Sequence, residues 1–297
     1  MATDVSTQAR KTTTEAKKPW RKVLYEKQDY PDNYVDAQFL KDLTKNVRVR
    51  HYEYWSVVYE SAIIAQQLCS VCALVLVWWH LSEGSLSPLL CVCVGLLLTL
   101  VGYALHEALG GRGGRSRLAD VKSATFFLGF SYGFSPILKT LTDTISTDTI
   151  YAMTTLMLLG HLLLFDYGMS PKRVTSLSMA VFGAVCLASR LPTAPHAFAI
   201  TAFAYQIFAL WPSLQLIIKR RCPATHVCVS ASWSLLSLAL VGHVAGARAA
   251  LAALGLVALP MLLAPLALVA LQTSKDNIHG PWDEAEIKDD DIPSFRS

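Results

Sequence analysis

The sequence predicts an all-α fold: a polytopic membrane helix bundle of about eight transmembrane helices with both termini cytosolic. Three observations predict it. Of 297 residues, 53% are hydrophobic and only 16% charged, too little polar surface to solvate a globule of this size. Apolar runs of about the length that crosses a bilayer recur at 57–79, 87–109, 124–141, 149–165, 174–191, 196–218, 226–246 and 249–271. Finally, Lys and Arg alternate between the connections. One set holds Arg112, Arg115, Arg117 and Lys122, then Lys172 and Arg173, then Lys219, Arg220 and Arg221, whereas the other holds only Lys139, Arg190 and Arg248. Basic residues near span ends stay on the cytosolic side, so an even count of spans places both ends there.

Residues 1–19, "MATDVSTQARKTTTEAKKP", are polar and basic, without the apolar core of a cleavable signal, and read as a disordered cytosolic leader. Residues 20–55 form a cytosolic and interfacial segment. There Val35, Phe39, Leu43 and Val47 recur every fourth position among Lys41, Lys45, Arg48 and Arg50, and Tyr52, Tyr54 and Trp55 follow. That pattern predicts an amphipathic helix at headgroup depth, a membrane-hugging segment or, more sharply, a docking surface through Phe39 and Leu43 or one that gathers anionic lipid through its four cations. Residues 56–272 carry the spans. The third and fourth are the most polar and are expected inside the bundle, while the Ala/Leu-rich last span is expected at its edge. Ser135-Pro136 predicts a kink, and Ser146, Thr147 and Asp148 a cap for the fourth helix. Residues 273–297 form a cytosolic tail. In "NIHGPWDEAEIK", Gly280-Pro281 turns the chain, Asp283 can cap a short helix, and Glu286 completes the capping-box spacing.

Catalytic signatures are sparse. "GGRGGRSR" from Gly110 is glycine-rich and basic, but no Walker-type or dinucleotide pattern follows, so it reads as a flexible basic linker. Cys69-x-x-Cys72 lies in an apolar run with no second ligand pair, and the seven cysteines are expected to be free thiols. Asp289-Asp290-Asp291 reads as a solvated acidic run rather than an Asp-x-Asp metal site. No catalytic, cofactor-binding or metal residue is assigned. The intramembrane polar residues His161, Gln206 and Arg190 stand out because such groups are costly in lipid. His161 reads as a neutral imidazole bonded to a neighbouring helix before it reads as a proton carrier. Gln206, ahead of Trp211-Pro212, reads as a helix–helix hydrogen bond beside an interfacial break, and Arg190 as a snorkelling cation.

The stretches "LYEKQDYPDNYVD", "QQLCSVC", "YGFSPILKTLTDTISTDTIYAM", "LLGHLLLFDYG", "CLASRLP", "QIFALWP" and "NIHGPWDEAEIK" occur in this order. Over about residues 18–288 the chain resembles the PIG-C family, one of the subunits of phosphatidylinositol N-acetylglucosaminyltransferase. The resemblance implies a multipass endoplasmic-reticulum subunit of the complex that transfers N-acetylglucosamine from UDP-N-acetylglucosamine to phosphatidylinositol, the first step of glycosylphosphatidylinositol (GPI) anchor biosynthesis. It also implies that catalysis belongs to a partner, PIG-A, among other subunits. No cofactor and no nucleic acid is expected. A noncatalytic scaffold is the favoured reading; a polytopic lipid glycosyltransferase in its own right and a phospholipid transporter or scramblase are the alternatives. On the scaffold reading, Lys122, Lys172, Arg173 and Lys219 are candidates for a lipid headgroup, although positive-inside topology alone explains them. Trp282, Asp283 and Ile287 are then candidates for docking a cytosolic partner.

Overall fold

The computed structural model describes residues 20, 27–28, 30–31, 34, 44–45, 51–110, 116–140, 144–168, 174–274 and 278–279. The chain divides into two compact units. The first joins residues 1–51 to 273–297. In it, β1 (Thr44–Lys45) pairs antiparallel with β2 (Ile278–His279), Thr44 opposite His279. The ring of Tyr34 packs against those of Tyr30 (4.3 Å) and Trp20 (6.2 Å). The every-fourth spacing predicts a helix through Thr44 and Lys45, but the chain is extended there. Two residues paired with another segment gain backbone hydrogen bonds that periodicity cannot foresee.

The second unit, Tyr52–Gln272, is helical. Its elements are α1 (Tyr54–Ser82), α2 (Pro88–Ala108), α3 (Arg117–Thr140), α4 (Thr147–Leu164) and α5 (Val174–Ala188), then α6 (Ala194–Tyr205), α7 (Trp211–Arg221), α8 (Pro223–Ala258) and α9 (Ala264–Gln272). A π-helical turn at Gln206–Leu210 joins α6 to α7, and another at Leu259–Leu263 joins α8 to α9. Each apolar run predicted from sequence falls on a helix. Among the described residues, five helical stretches are long and apolar enough to cross a membrane: α1, α2, α4, the joined α6–α7 and the joined α8–α9. Helix α5 is apolar but shorter.

Side-chain contacts give the helix directions. Running α1 from its near end to its far end, Trp78 at the far end donates to Leu187 O (3.0 Å) and packs on Tyr151 (5.7 Å). So α4 begins, and α5 ends, at the far end. Lys139 donates to Pro192 O (2.7 Å), placing the end of α3 there too. At the near end, Arg117 pairs with Glu107 (2.6 Å), and Lys219 with Glu60 (2.6 Å). The long α8–α9 segment reverses direction. Ser230 and Ser234 meet Gln66 and Cys69 in ascending order, whereas Met261 O meets Ser61 and Gln272 Oε1 meets the Tyr52 N–H (3.1 Å) in descending order. The reversal falls at Gly246, with φ 83° and ψ 174°, a backbone conformation essentially restricted to glycine. A Cβ on Gly242 would lie 3.3 Å from Ala250 Cβ, which only a folded-back chain allows.

The core also differs from expectation. Helix α1 is the most enclosed, with 61% of its apolar window buried, and α6–α7 follows at 50%. Helix α3, expected inside, buries only Ser131 and Ser135. The hydroxyls of Ser123, Ser135 and Thr140 need no interior site because they bond to their own backbone. Pro136 cannot donate to Tyr132 O four residues back, and the Ser135 hydroxyl donates there instead (2.9 Å). Leu74, Leu81, Leu158, Ile200 and Phe208 form the main core with small residues of α5, Ala180 and Ala184. Small residues let the backbones approach closely: a Cβ on Gly160 would lie 2.7 Å from Met179 Sδ. Ser146 caps α4 as the sequence predicts, its hydroxyl accepting from the Thr149 N–H. The edge position expected for the last span agrees with the exposure of α8–α9, 11% buried.

Candidate functional site

Polar side chains gather in the near half of the bundle, between α1, α7 and α8. On α1, Tyr59 and Gln66 are seven residues apart, as are Glu60 and Gln67, so each pair repeats on one helix face after two turns. On α7, Gln215 and Lys219 are four apart, as are His226 and Ser230 on α8. Gln66 Nε2 donates to Ser230 Oγ, and Ser230 donates to His226 O (2.6 Å). His226 Nδ1 meets Gln215 Oε1 at 3.3 Å, and its ring stands edge-on to Tyr59 (5.4 Å). The Tyr59 hydroxyl donates to Lys219 O (3.2 Å), while the Lys219 ammonium lies 5.2 Å from the Tyr59 ring centre. The network clamps three helices, and Gln66, Gln215 and His226 are each at most 3% exposed.

Beside this network, Gln66, Gln67 and Gln215 line a narrow cleft closed by Ile63, Pro212 and residues Phe165, Asp166 and Tyr167 of the connection after α4. It has room for about one water molecule. Gln67 Oε1 and Gln215 Nε2 are buried without a hydrogen-bond partner. Asp166 accepts from the Gly168 N–H (3.0 Å), and the Tyr167 hydroxyl donates to Leu162 O (2.6 Å). Burial pushes the Tyr167 phenol up to about 12.

The structure separates the sequence-predicted residues. Lys219 belongs to the network, its charge compensated by Glu60. Lys122 is exposed on α3. Lys172 and Arg173, Phe39 and Leu43, and Trp282, Asp283 and Ile287 lie outside the described residues. His161 is fully buried, its Nδ1 2.9 Å from Ser176 O and 2.8 Å from Ser176 Oγ on α5, between the rings of Phe165 and Phe208. The sequence reading expects an imidazole bonded to a neighbouring helix, and Ser176 on α5 is the partner. Gln206 donates to Gly95 O on α2 (3.1 Å), again as predicted, but the break beside it is a π-helical turn within a continuous helix. Arg190, read from sequence as a snorkelling cation, donates to Ile145 O at the far end, in the connection before α4. All seven cysteines are free, and Cys69 donates to Ser234. Gln66, Gln67, Gln215, His226 and Ser230 carry no role in the sequence reading. Their signal is the seven- and four-residue spacing of polar positions inside apolar runs.

Fold and site together define a polytopic α-helical membrane protein whose buried polar groups concentrate toward one end. The chain belongs to the GPI2 family, described as phosphatidylinositol N-acetylglucosaminyltransferase, which matches residues 20–283. It is 52% identical over 279 residues to the C subunit of phosphatidylinositol N-acetylglucosaminyltransferase from Bos taurus, covering 91% of this chain and 94% of that protein. The Homo sapiens C subunit is 52% identical over 285 residues, with the same coverage of 91% and 94%. The GPI2 subunit of Schizosaccharomyces pombe is 31% identical over 297 residues, covering 93% of this chain and 89% of its own. No solved structure matches.

Proposed function

We propose that the chain is a noncatalytic membrane subunit of the complex that transfers N-acetylglucosamine from UDP-N-acetylglucosamine to phosphatidylinositol in the endoplasmic-reticulum membrane, beginning GPI-anchor biosynthesis. It scaffolds the catalytic subunit, PIG-A, and presents the lipid acceptor. The observation that carries this reading is relatedness, over nine-tenths of the chain, to proteins named as the C subunit of that transferase. The shape of the chain supports the scaffold role. Its helices are joined by connections at 83–87, 109–116, 141–146, 165–173 and 189–193, too short to fold around a nucleotide sugar.

The chain crosses the membrane eight times, with both flanking segments cytosolic. The alternating helix directions, the reversal at Gly246 and the pairing of β1 with β2 all support an even number of crossings. The near end carries Arg117, Lys219, Arg220 and Arg221 and is the cytosolic one. The leader, the interfacial segment and the tail then share the compartment of the sugar nucleotide, where Trp282, Asp283 and Ile287, with Phe39 and Leu43, dock a partner. Lys122, Lys172 and Arg173 face anionic headgroups on that leaflet.

Purification in mild detergent tests the scaffold role. The expected result is stable recovery of the catalytic subunit with the full chain, reduced by Trp282→Ala without loss of membrane insertion. A monodisperse chain that never retains a glycosyltransferase partner overturns it.

A further inference from the structure

In the cleft bounded by α1, α7 and the connection after α4, two amides end with unmet hydrogen-bonding capacity: an acceptor on Gln67, 1% exposed, and a donor on Gln215, 3% exposed. A buried polar atom without a partner costs stability, so a chain that keeps two beside one opening gains where something fills it. Asp166, at the same opening, bonds the Gly168 N–H through one oxygen and has no other hydrogen bond among the described residues.

The lining selects the ligand class. It contains amides, a carboxylate and a phenol but no Lys, Arg or His, so a phosphate or carboxylate entering it would meet Asp166 without a compensating cation. A neutral hydroxyl fits, because it donates and accepts at once and satisfies Gln67 and Gln215 whichever way either amide is turned. The small enclosed space admits a single hydroxyl, leaving the rest of a ligand at the mouth. The cleft lies six residues along α1 from Glu60, about 9 Å inside the Glu60–Lys219 pair. Pro212 and the π-helical turn before it shape its wall: the Trp211 N–H bonds Gln206 O five residues back, shifting the register where the cleft opens.

We infer that this cleft is a hydroxyl-recognition site for a lipid with a polyol headgroup, with Gln67 and Gln215 holding one ring hydroxyl and Asp166 accepting from a neighbouring one. The inference rests on the proposed role in presenting a lipid acceptor and assigns that role to residues. The Gln67 side chain makes no hydrogen bond among the described residues, so Gln67→Leu removes recognition without removing a side-chain tie.

The test uses the full chain in nanodiscs containing phosphatidylinositol and phosphatidic acid with matched acyl chains, counting lipids retained on extraction by native mass spectrometry. Wild type is expected to retain the inositol lipid about tenfold over phosphatidic acid, the discrimination that one or two net hydrogen bonds provide. Gln67→Leu is expected to retain the two equally, with an unchanged or higher melting temperature and undiminished recovery of the catalytic subunit. Equal retention by wild type overturns the inference and leaves the cleft a water site. An intact preference in Gln67→Leu overturns it too, as does a lost preference accompanied by a lower melting temperature. Recovery of the catalytic subunit is read separately, so failure of the scaffold role and failure of the cleft are distinguishable.

Discussion

His161 shows how a polar side chain inside apolar helices becomes a structural tie. Its Nδ1 is engaged by Ser176, while the rings of Phe165 and Phe208 cover the rest of the imidazole. Interhelical hydrogen bonds in membranes average only about 0.6 kcal/mol, so Ser176→Ala, which keeps the Ser176 carbonyl, is expected to cost under about 1 kcal/mol. His161→Ala also empties a packed volume and is expected to cost about 2–4 kcal/mol. Detergent-denaturation midpoints of the two variants would check this; equal losses would show that the hydrogen bond, not packing, dominates. The sequence made this tie legible, because a lone histidine in an apolar helix needs a partner and few chemistries supply one. It did not reveal Gln67, whose lack of a partner follows only from how α7 and the connection after α4 meet α1.

At the scale of elements, the α8–α9 segment is informative because composition hides its reversal. The Ala/Leu-rich sequence is helical on both sides of Gly246, and length alone argues for two spans: 50 residues of unbroken helix would extend about 75 Å, far beyond a bilayer. The turn depends on one residue. Gly246 has open space where a side chain would go, so Gly246→Ala meets no clash, and its cost is purely conformational, about 1–3 kcal/mol. Gly255, also open but helical, is the control: Gly255→Ala is expected to be neutral or to stabilise by up to about 1 kcal/mol. Thermal denaturation of both variants separates the two positions, and similar shifts would mean that the reversal does not rest on Gly246. Helix α3 shows the opposite lesson. Its Ser, Gly and Pro content suggested an interior position, but hydroxyls that bond their own helix remove the penalty of facing lipid. Polarity by residue type therefore overstates polarity by unsatisfied atom.

At the scale of the whole molecule, apolar run lengths mark where the helices lie, since run length is a one-dimensional signal, and alternating charge supplies an expectation for their orientation. Which helices are central cannot be read that way, because that depends on long-range pairings such as Gln66 with Ser230 and Ser61 with Met261, separated by 164 and 200 residues. Orientation is directly testable. A glycosylation-acceptor tag in the 83–87 connection is expected to be modified in the lumen, and the same tag in 109–116 to remain unmodified. The reverse pattern would invert the molecule and place the basic near end in the lumen.

The position of α1 has a consequence for biogenesis. This helix leaves the ribosome before the other helices, yet Gln66 and Ser61 bond to α8 and to the turn before α9, which emerge last. Through synthesis of the intervening helices, the Gln66 amide is without the Ser230 partner it has in the finished fold. A nascent chain cut before Pro223 would present an orphaned polar helix, a feature that membrane quality control can recognise. The bonds that Gln66 and Ser61 make with this hairpin can therefore form only once it has been synthesised.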